Sequence, residues 1–171
     1  MDPVTLISQH ESTLPTSVEY QHTQTGAVIL IGFALTAGFI LMLFAWISMS
    51  VPESRAALAV AVVGVLIAIA LLAWYFASMT VVVTTDHLQW RFNGGAAWRL
   101  NRADIENVGV VPHPWWAGYG IRWFGPKRWA YIISGRSAVE VRLKQGGWRR
   151  LGTDDPDGLV RALQLSASAS S

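Results

Sequence analysis

The sequence predicts a membrane protein of two parts: an α-helical hairpin of two transmembrane helices, and a small all-β barrel or sandwich with a C-terminal capping helix. Three observations predict it. Two charge-free apolar runs, residues 26–49 and 56–79, follow each other closely. From residue 80 onward, β-branched and aromatic residues alternate with polar ones. A short amphipathic segment with helix-start residues ends the chain.

Each apolar run is long enough to cross a bilayer as a helix. About two dozen residues, each rising 1.5 Å, give roughly 36 Å, against a hydrocarbon core of about 30 Å. A signal peptide is disfavoured because no Lys or Arg precedes the first run. A buried core hairpin of a soluble protein is also disfavoured, since two consecutive uncharged runs of this length are rare outside lipid. Neither run contains His, Asp, Glu, Lys or Arg, so we interpret the hairpin, residues 26–79, as an anchor or packing element.

Small residues recur in both predicted helices and predict how the helices pack. In lipid, helices associate through close contact of small side chains. The two stripes comprise Ala27, Ala34, Gly38 and Ala45 in the first helix, and Ala57, Ala61, Gly64 and Ala68 in the second. We expect the stripes to face each other; the alternative is that Ala and Gly are merely common in membrane helices.

The distribution of basic residues predicts the orientation. Of the 13 Lys and Arg, Arg55 alone precedes the end of the second run, which leaves 12 from Arg91 onward. The positive-inside rule therefore predicts a multi-pass membrane protein with both termini in the cytoplasm. The absence of Cys excludes a disulfide framework and thiolate chemistry.

The rest of the chain divides into two tails and one domain. Residues 1–25 form a polar tail for which we expect no fold, and residues 166–171 form a disordered Ser/Ala tail. Residues 80–165 contain about seven short strands, of which residues 138–144 alternate most clearly between an apolar face and a wet face that includes Glu140. A helix over residues 154–164, capped by Thr153 or Asp154, covers the open end.

Two groups of residues resemble one family. The first comprises Asp86, Leu88, Arg91, Phe92 and Gly94, then Ala103, Asp104, Ile105 and Val108. The second comprises Trp115, Trp116, Gly118, Gly120, Ile121 and Arg122, then Tyr131, Ser134, Gly135, Val139, Glu140 and Leu143, and finally Gly152, Thr153, Asp154 and Pro156. Together with the hairpin, they resemble the membrane-anchored bacterial pleckstrin-homology-like proteins over most of the chain from Tyr20 to Leu163.

The resemblance implies a location in the bacterial inner membrane. It also implies a seven-stranded barrel with a C-terminal helix, a fold that binds lipids, peptides or proteins in different members. A related barrel in a photosynthetic-complex assembly protein implies, by analogy, a role in assembling membrane complexes. Pleckstrin-homology domains that hold inositol phosphates carry several cations around their first hairpin loop. The equivalent residues here, Thr84, Thr85, Asp86 and His87, include no Lys or Arg. A phosphoinositide site is therefore not expected.

An aromatic and basic stretch between His113 and Trp129 is the strongest candidate contact surface. Its candidate residues are Trp115, Trp116, Tyr119, Trp123, Phe124, Lys127, Arg128 and Trp129. Interfacial tryptophan and cations near anionic headgroups both favour contact with a bilayer. The alternative is that the aromatic residues fill the β domain while the cations face water.

Catalytic, cofactor and metal sites are not expected. The two histidines of the β domain, His87 and His113, lack metal-site spacing, and Ser134 and Ser137 lack a nucleophile-elbow context. Nucleic-acid binding is also not expected, because 12 basic against six acidic residues from Arg91 onward is a mild excess.

Two hypotheses for a non-enzymatic function remain. In the first, the hairpin tethers an interaction module that binds a protein partner or lipid headgroups at the cytoplasmic face. In the second, the chain is a structural or assembly subunit of a larger membrane complex, for example a respiratory or photosynthetic one, and its helices pack on another membrane protein or on a second copy.

Overall fold

The computed structural model describes residues 17–165. Residues 1–16 of the predicted N-terminal tail and the predicted disordered tail, residues 166–171, lie outside the described residues. The elements in chain order are β1 Val18–Thr25, α1 Ala27–Ser50, α2 Arg55–Tyr75, β2 Ser78–Thr84, β3 His87–Phe92, β4 Trp98–Asn101, β5 Ile105–Pro112, β6 Gly120–Trp123, β7 Arg128–Ile132, β8 Ser137–Leu143, β9 Trp148–Gly152 and α3 Pro156–Leu165. Short 3-10 turns lie at Pro52–Ser54, Arg102–Asp104 and Trp115–Ala117.

The strands form two sheets. The first has the order β1-β2-β3-β4, and the second has the order β5-β8-β9-β7-β6. Neighbouring strands are antiparallel except β7 and β9, which run parallel. Within the described residues the two sheets do not close on each other, so of the two predicted alternatives the structure shows the sandwich and not the barrel.

Strand β1 contradicts the prediction that the N-terminal tail has no fold. It pairs with β2 from Val18 opposite Thr84 to Thr25 opposite Ser78. The whole helical hairpin is therefore inserted between two neighbouring antiparallel strands. A hydrogen bond of 2.9 Å from the Gly26 N–H to the Ala77 carbonyl closes the base of the hairpin. The two helices leave and rejoin the sheet at the same place, and we call this the hairpin end of the sandwich.

The helices agree with the predicted pair, with one shifted boundary. The predicted second run extends to residue 79, but α2 ends at Tyr75 and β2 begins at Ser78. Met79 belongs to the sandwich because its side chain is completely buried in the core. Neither helix contains a buried residue. Both are long and apolar enough to cross a membrane.

The small-residue stripes do not face each other as expected. All of their members are exposed, and a side chain added at Gly38 or Gly64 would meet nothing within 4 Å. Half-buried positions at helical spacing mark the contact face instead: Phe33, Ala37, Ile40 and Phe44 on α1, and Val62, Leu66, Ile69 and Ala73 on α2. The expectation fails because the contact face is formed mostly by larger apolar side chains, with Ala37 and Ala73 as its small members.

The core lies between the sheets, and α3 contributes to it. Its fully buried large side chains include Met79, Val83, Leu88 and Phe92 from the first sheet, and Val139, Val141 and Leu151 from the second. Leu159 and Leu163 of α3 join the same cluster. The predicted N-cap, Thr153 or Asp154, is replaced by Asp155, which precedes Pro156 and accepts the Gly158 N–H at 3.0 Å. Thr153 accepts the Asp155 N–H at 3.1 Å.

Candidate interaction surfaces

The hairpin and the sandwich share one continuous packed base. Asn93 in the β3–β4 turn donates its side-chain N–H to the Trp74 carbonyl at 3.0 Å. Gly94, at φ +63°, lies against the Trp74 indole, where a larger residue would clash. The Tyr75 and Phe76 rings pack on Phe92 with centroid distances of 5.7 and 5.2 Å. These contacts fix the orientation of the helices on the sandwich, with no linker between them.

The predicted aromatic and basic stretch is divided between the two ends of the second sheet. Its first part, residues 113–119, lies at the hairpin end. The His113 N–H donates to the Arg136 carbonyl at 2.8 Å in the β7–β8 turn. The same turn contacts the hairpin base, because Ser134 donates to the Gln24 side chain at 3.4 Å. Trp116 is 73% exposed here, Tyr119 is half-buried, and the Trp115 side chain lies outside the description.

The second part of the stretch lies at the opposite end, which we call the far end. The β6–β7 turn is held against the β8–β9 turn: the Lys127 ammonium donates to the Gln145 carbonyl at 3.1 Å, and the Lys127 carbonyl accepts the Trp148 N–H at 3.0 Å. Phe124 and Arg128 accompany this turn, both exposed. Strand β8 separates the ends by about 20 Å at 3.3 Å per residue. The predicted residues therefore do not form one surface.

The remaining two predicted aromatic residues have different environments. Trp129 is half-buried and packs against the main core, as the alternative interpretation expected. Trp123 on β6 is 64% exposed, and its neighbour Ile121 is 36% exposed. Both point to the inner side of the second sheet, because they pair with Trp129 and Tyr131. They lie beyond the part of that side which the first sheet covers.

The outer side of the second sheet carries four arginines. Cross-strand partners on this side form two rows, Glu140–Arg150–Ala130–Arg122 and Arg142–Trp148–Arg128. The Arg150 guanidinium stacks on the Trp148 ring, 4.3 Å from its centroid. A cleft of about 530 Å³ is lined by Arg128, Arg142, Trp148 and Arg150, but not by Arg122. We call Arg122, Arg128, Arg142 and Arg150 with Trp148 the arginine face.

Glu140 lies beneath this face and holds two of its arginines. Its side chain is 7% exposed, accepts from Arg142 Nε at 3.0 Å, and forms an ion pair with Arg150 Nη2 at 2.7 Å. Burial opposes ionisation of Glu140, but the hydrogen bonds from Arg142 and Arg150 outweigh it and lower the pKa of the carboxyl. The predicted wet-face position is thus buried. One carboxylate balances two arginines, while Arg122 and Arg128 have no side-chain partner within residues 17–165.

Several polar contacts that the sequence did not predict join distant elements. Arg102 donates to Glu19 at 2.6 Å, to the Thr84 carbonyl, and to the last carbonyls of α3. Tyr20 donates to Asp155 at 3.1 Å, and burial together with this carboxylate raises the pKa of Tyr20. His22 contacts Asp154 at 2.5 Å. Tyr20, His22 and Gln24 alternate on the inner side of β1, and this spacing is the signal that could have identified the strand. It does not appear as an apolar alternation, because His22 and Gln24 are polar.

Among residues 17–165, no three His, Cys, Asp or Glu side chains come together as a metal ion would require. The acidic residues Asp155 and Glu140 cap a helix and bind arginines, respectively. What the exposed surfaces offer is aromatic area at the hairpin end and positive charge on the arginine face.

Comparison of the chain with protein-family models, curated proteins and solved structures found no match.

Proposed function

We propose that the chain is a non-enzymatic, membrane-tethered interaction module. The helical hairpin spans the bacterial inner membrane twice, and the sandwich binds a protein partner at the cytoplasmic face. The observation that carries this proposal is the insertion of an apolar hairpin, whose helices contain no buried residue, between the paired strands β1 and β2. Such a hairpin requires an apolar surrounding, and the pairing keeps both of its ends on one side of it.

The aromatic residues and the charge distribution support this orientation. Trp46 lies towards the turn of the hairpin and is 68% exposed, while Trp74 lies at its base and is 57% exposed. Tryptophan favours both interfaces of a bilayer. Because 12 of 13 basic residues follow the hairpin, the positive-inside rule places the sandwich in the cytoplasm. Trp116 at the hairpin end then contacts the headgroup region.

Single cysteines test this topology, since the natural chain contains none. We expect Ser54→Cys, in the hairpin turn, to react with a membrane-impermeant maleimide added outside intact spheroplasts. Gln145→Cys, at the far end, should react only after the membrane is opened. Release of the full-length chain by alkaline carbonate, or labelling of both cysteines from outside, would refute the proposal.

The alternative function is a structural or assembly subunit whose helices pack on another membrane protein. The outward orientation of the small-residue stripes favours it, because they remain free for close contact with a second helix. Photo-crosslinking in cells separates the two functions. Crosslinks to a protein from Lys144 replaced by a photoreactive residue support the module, whereas crosslinks from Ala34 and Ala61 alone support the subunit.

A further inference from the structure

Strand β6 leaves one side of its backbone without a partner strand in the described part of the chain. It is the last strand of the second sheet. The Phe124 N–H donates to the Arg128 carbonyl at 2.9 Å, towards β7. Because alternate residues of a strand direct their backbone groups to the same side, Arg122 also faces β7. Ile121 and Trp123 therefore direct their N–H and C=O groups outward, where another strand can pair.

The side chains of β6 alternate in chemistry as well as direction. Ile121 and Trp123 present exposed apolar surface on one side of the sheet. Arg122 lies on the other side, within the arginine face, opposite Ala130, which is two residues along β7 from Arg128. A strand that pairs with β6 would place every second residue over the apolar pair and the others over the arginines. Its complementary sequence alternates apolar and acidic residues.

The other edge strands lack this combination. Strand β1 carries Glu19, and β5 carries Glu106. On β4, Arg99 already donates to Gln89 at 3.0 Å. An acidic segment is thus attracted to β6 and is not attracted to β1 or β5.

A polypeptide fits this face better than the headgroups of the bilayer. Tyr119, from the segment of residues 113–119, packs over Ala130, Ile132 and Ala138 on the outer side of the second sheet. That segment belongs to the hairpin end, so it lies between the arginine face and the base of the hairpin. Trp116 therefore contacts the bilayer, whereas the arginine face is held away from it and can bind a partner in the cytoplasm.

We propose that β6 binds an extended acidic segment of a partner protein, which adds to the second sheet as a sixth strand. Its carboxylates pair with Arg122 and Arg128, and its apolar residues cover Ile121 and Trp123. This proposal rests on the proposed function and names the chemistry of the partner.

Fluorescence anisotropy with a defined peptide tests this site. The probe is fluorescein-labelled Gly-Glu-Val-Glu-Val-Glu-Val-Gly, titrated with the full-length protein in phosphatidylcholine nanodiscs. We expect micromolar binding that weakens at least tenfold in the double variant Arg122→Ala/Arg128→Ala. Both side chains are exposed and form no ion pair within the described residues, and the Arg122 guanidinium lies against the surface turn at Gly118, so the fold should persist. The matched control, Arg91→Ala/Arg161→Ala, removes two exposed charges elsewhere and should change the affinity less than twofold.

Three outcomes would overturn the proposal: no binding at millimolar protein, equal weakening in the control variant, or equal binding of a peptide with its three Glu and three Val grouped in blocks. The last outcome would indicate attraction by charge without strand pairing. Each leaves the cysteine-labelling and crosslinking results unchanged, so failure here is distinguishable from failure of the proposed function.

Discussion

The helical hairpin and the sandwich contain similar apolar residues, but these side chains are buried in the sandwich and exposed in the hairpin. In the sandwich, residues such as Phe92 and Met79 have no exposed surface. In α1 and α2 no residue is buried, and Phe39 is 56% exposed. The sandwich therefore obtains its stability from burial within the chain, whereas the hairpin depends on an apolar surrounding that the chain does not supply. The difference teaches that only the sandwich can be expected to fold in water.

The largest expected effect comes from removing one region. Replacement of residues 26–77 by Asn-Gly joins Thr25 to Ser78, which are already paired, through a turn suited to a two-residue β-hairpin. We expect the shortened protein to be water-soluble and β-folded by circular dichroism, while the full-length chain requires detergent. A fragment that starts at Ser78, and so lacks β1, should be unstable. A shortened protein that aggregates would contradict the comparison.

Substitution of one phenylalanine in each region measures the difference directly. Phe92→Ala should destabilise the sandwich by about 3–5 kcal/mol, because it removes a fully buried ring from the core. Phe39→Ala should change the stability of the sandwich by less than about 0.5 kcal/mol. Chemical denaturation in mild detergent, followed by fluorescence of the sandwich tryptophans, gives both values. Equal effects would mean that the two regions unfold as one.

The sequence predicts the two regions well but not how they join. Length and absence of charge identify α1 and α2, and alternation such as Val139 and Val141 identifies buried strand faces. Strand β1 was not predicted because its inward residues are polar, and their partners, such as Asp155 for Tyr20, are remote in sequence. The burial of Glu140 was not predicted because it depends on an ion pair with Arg150 of the neighbouring strand. Local pattern carries no information about such distant partners.

The boundary between the regions provides an intermediate effect. Gly94→Ala should destabilise the protein by about 2–3 kcal/mol, because the new methyl group meets Trp74 and the residue must keep φ +63°. Gly146→Ala is the matched control, with φ +77° and open space around it, and should cost about 1 kcal/mol. Thermal unfolding in detergent compares them. Trp74→Ala should reduce the cost at Gly94 to that of the control.

The smallest expected effect concerns the carboxylate of Glu140, which is buried in the sandwich. The apolar helices of the hairpin contain no comparable buried charge. The pKa of Glu140 is lowered in the folded state, so its contribution to stability is present above the ordinary value of 4.5 and is lost as the pH falls through the folded pKa. Glu140→Gln should therefore destabilise the shortened protein by about 1–2 kcal/mol at pH 7 and by less at pH 3. Urea denaturation at both values checks this. A difference that grows on acidification would contradict it.

The position of the hairpin within the first sheet also links biogenesis to folding. Strand β1 leaves the ribosome first, but its pairing partner β2 is made only after both helices. In the proposed topology, a chain that crossed the bilayer once instead of twice would hold β1 and β2 in different compartments, and the first sheet would lack its edge strand. Pairing of β1 with β2 therefore requires that both helices of the proposed hairpin cross the bilayer.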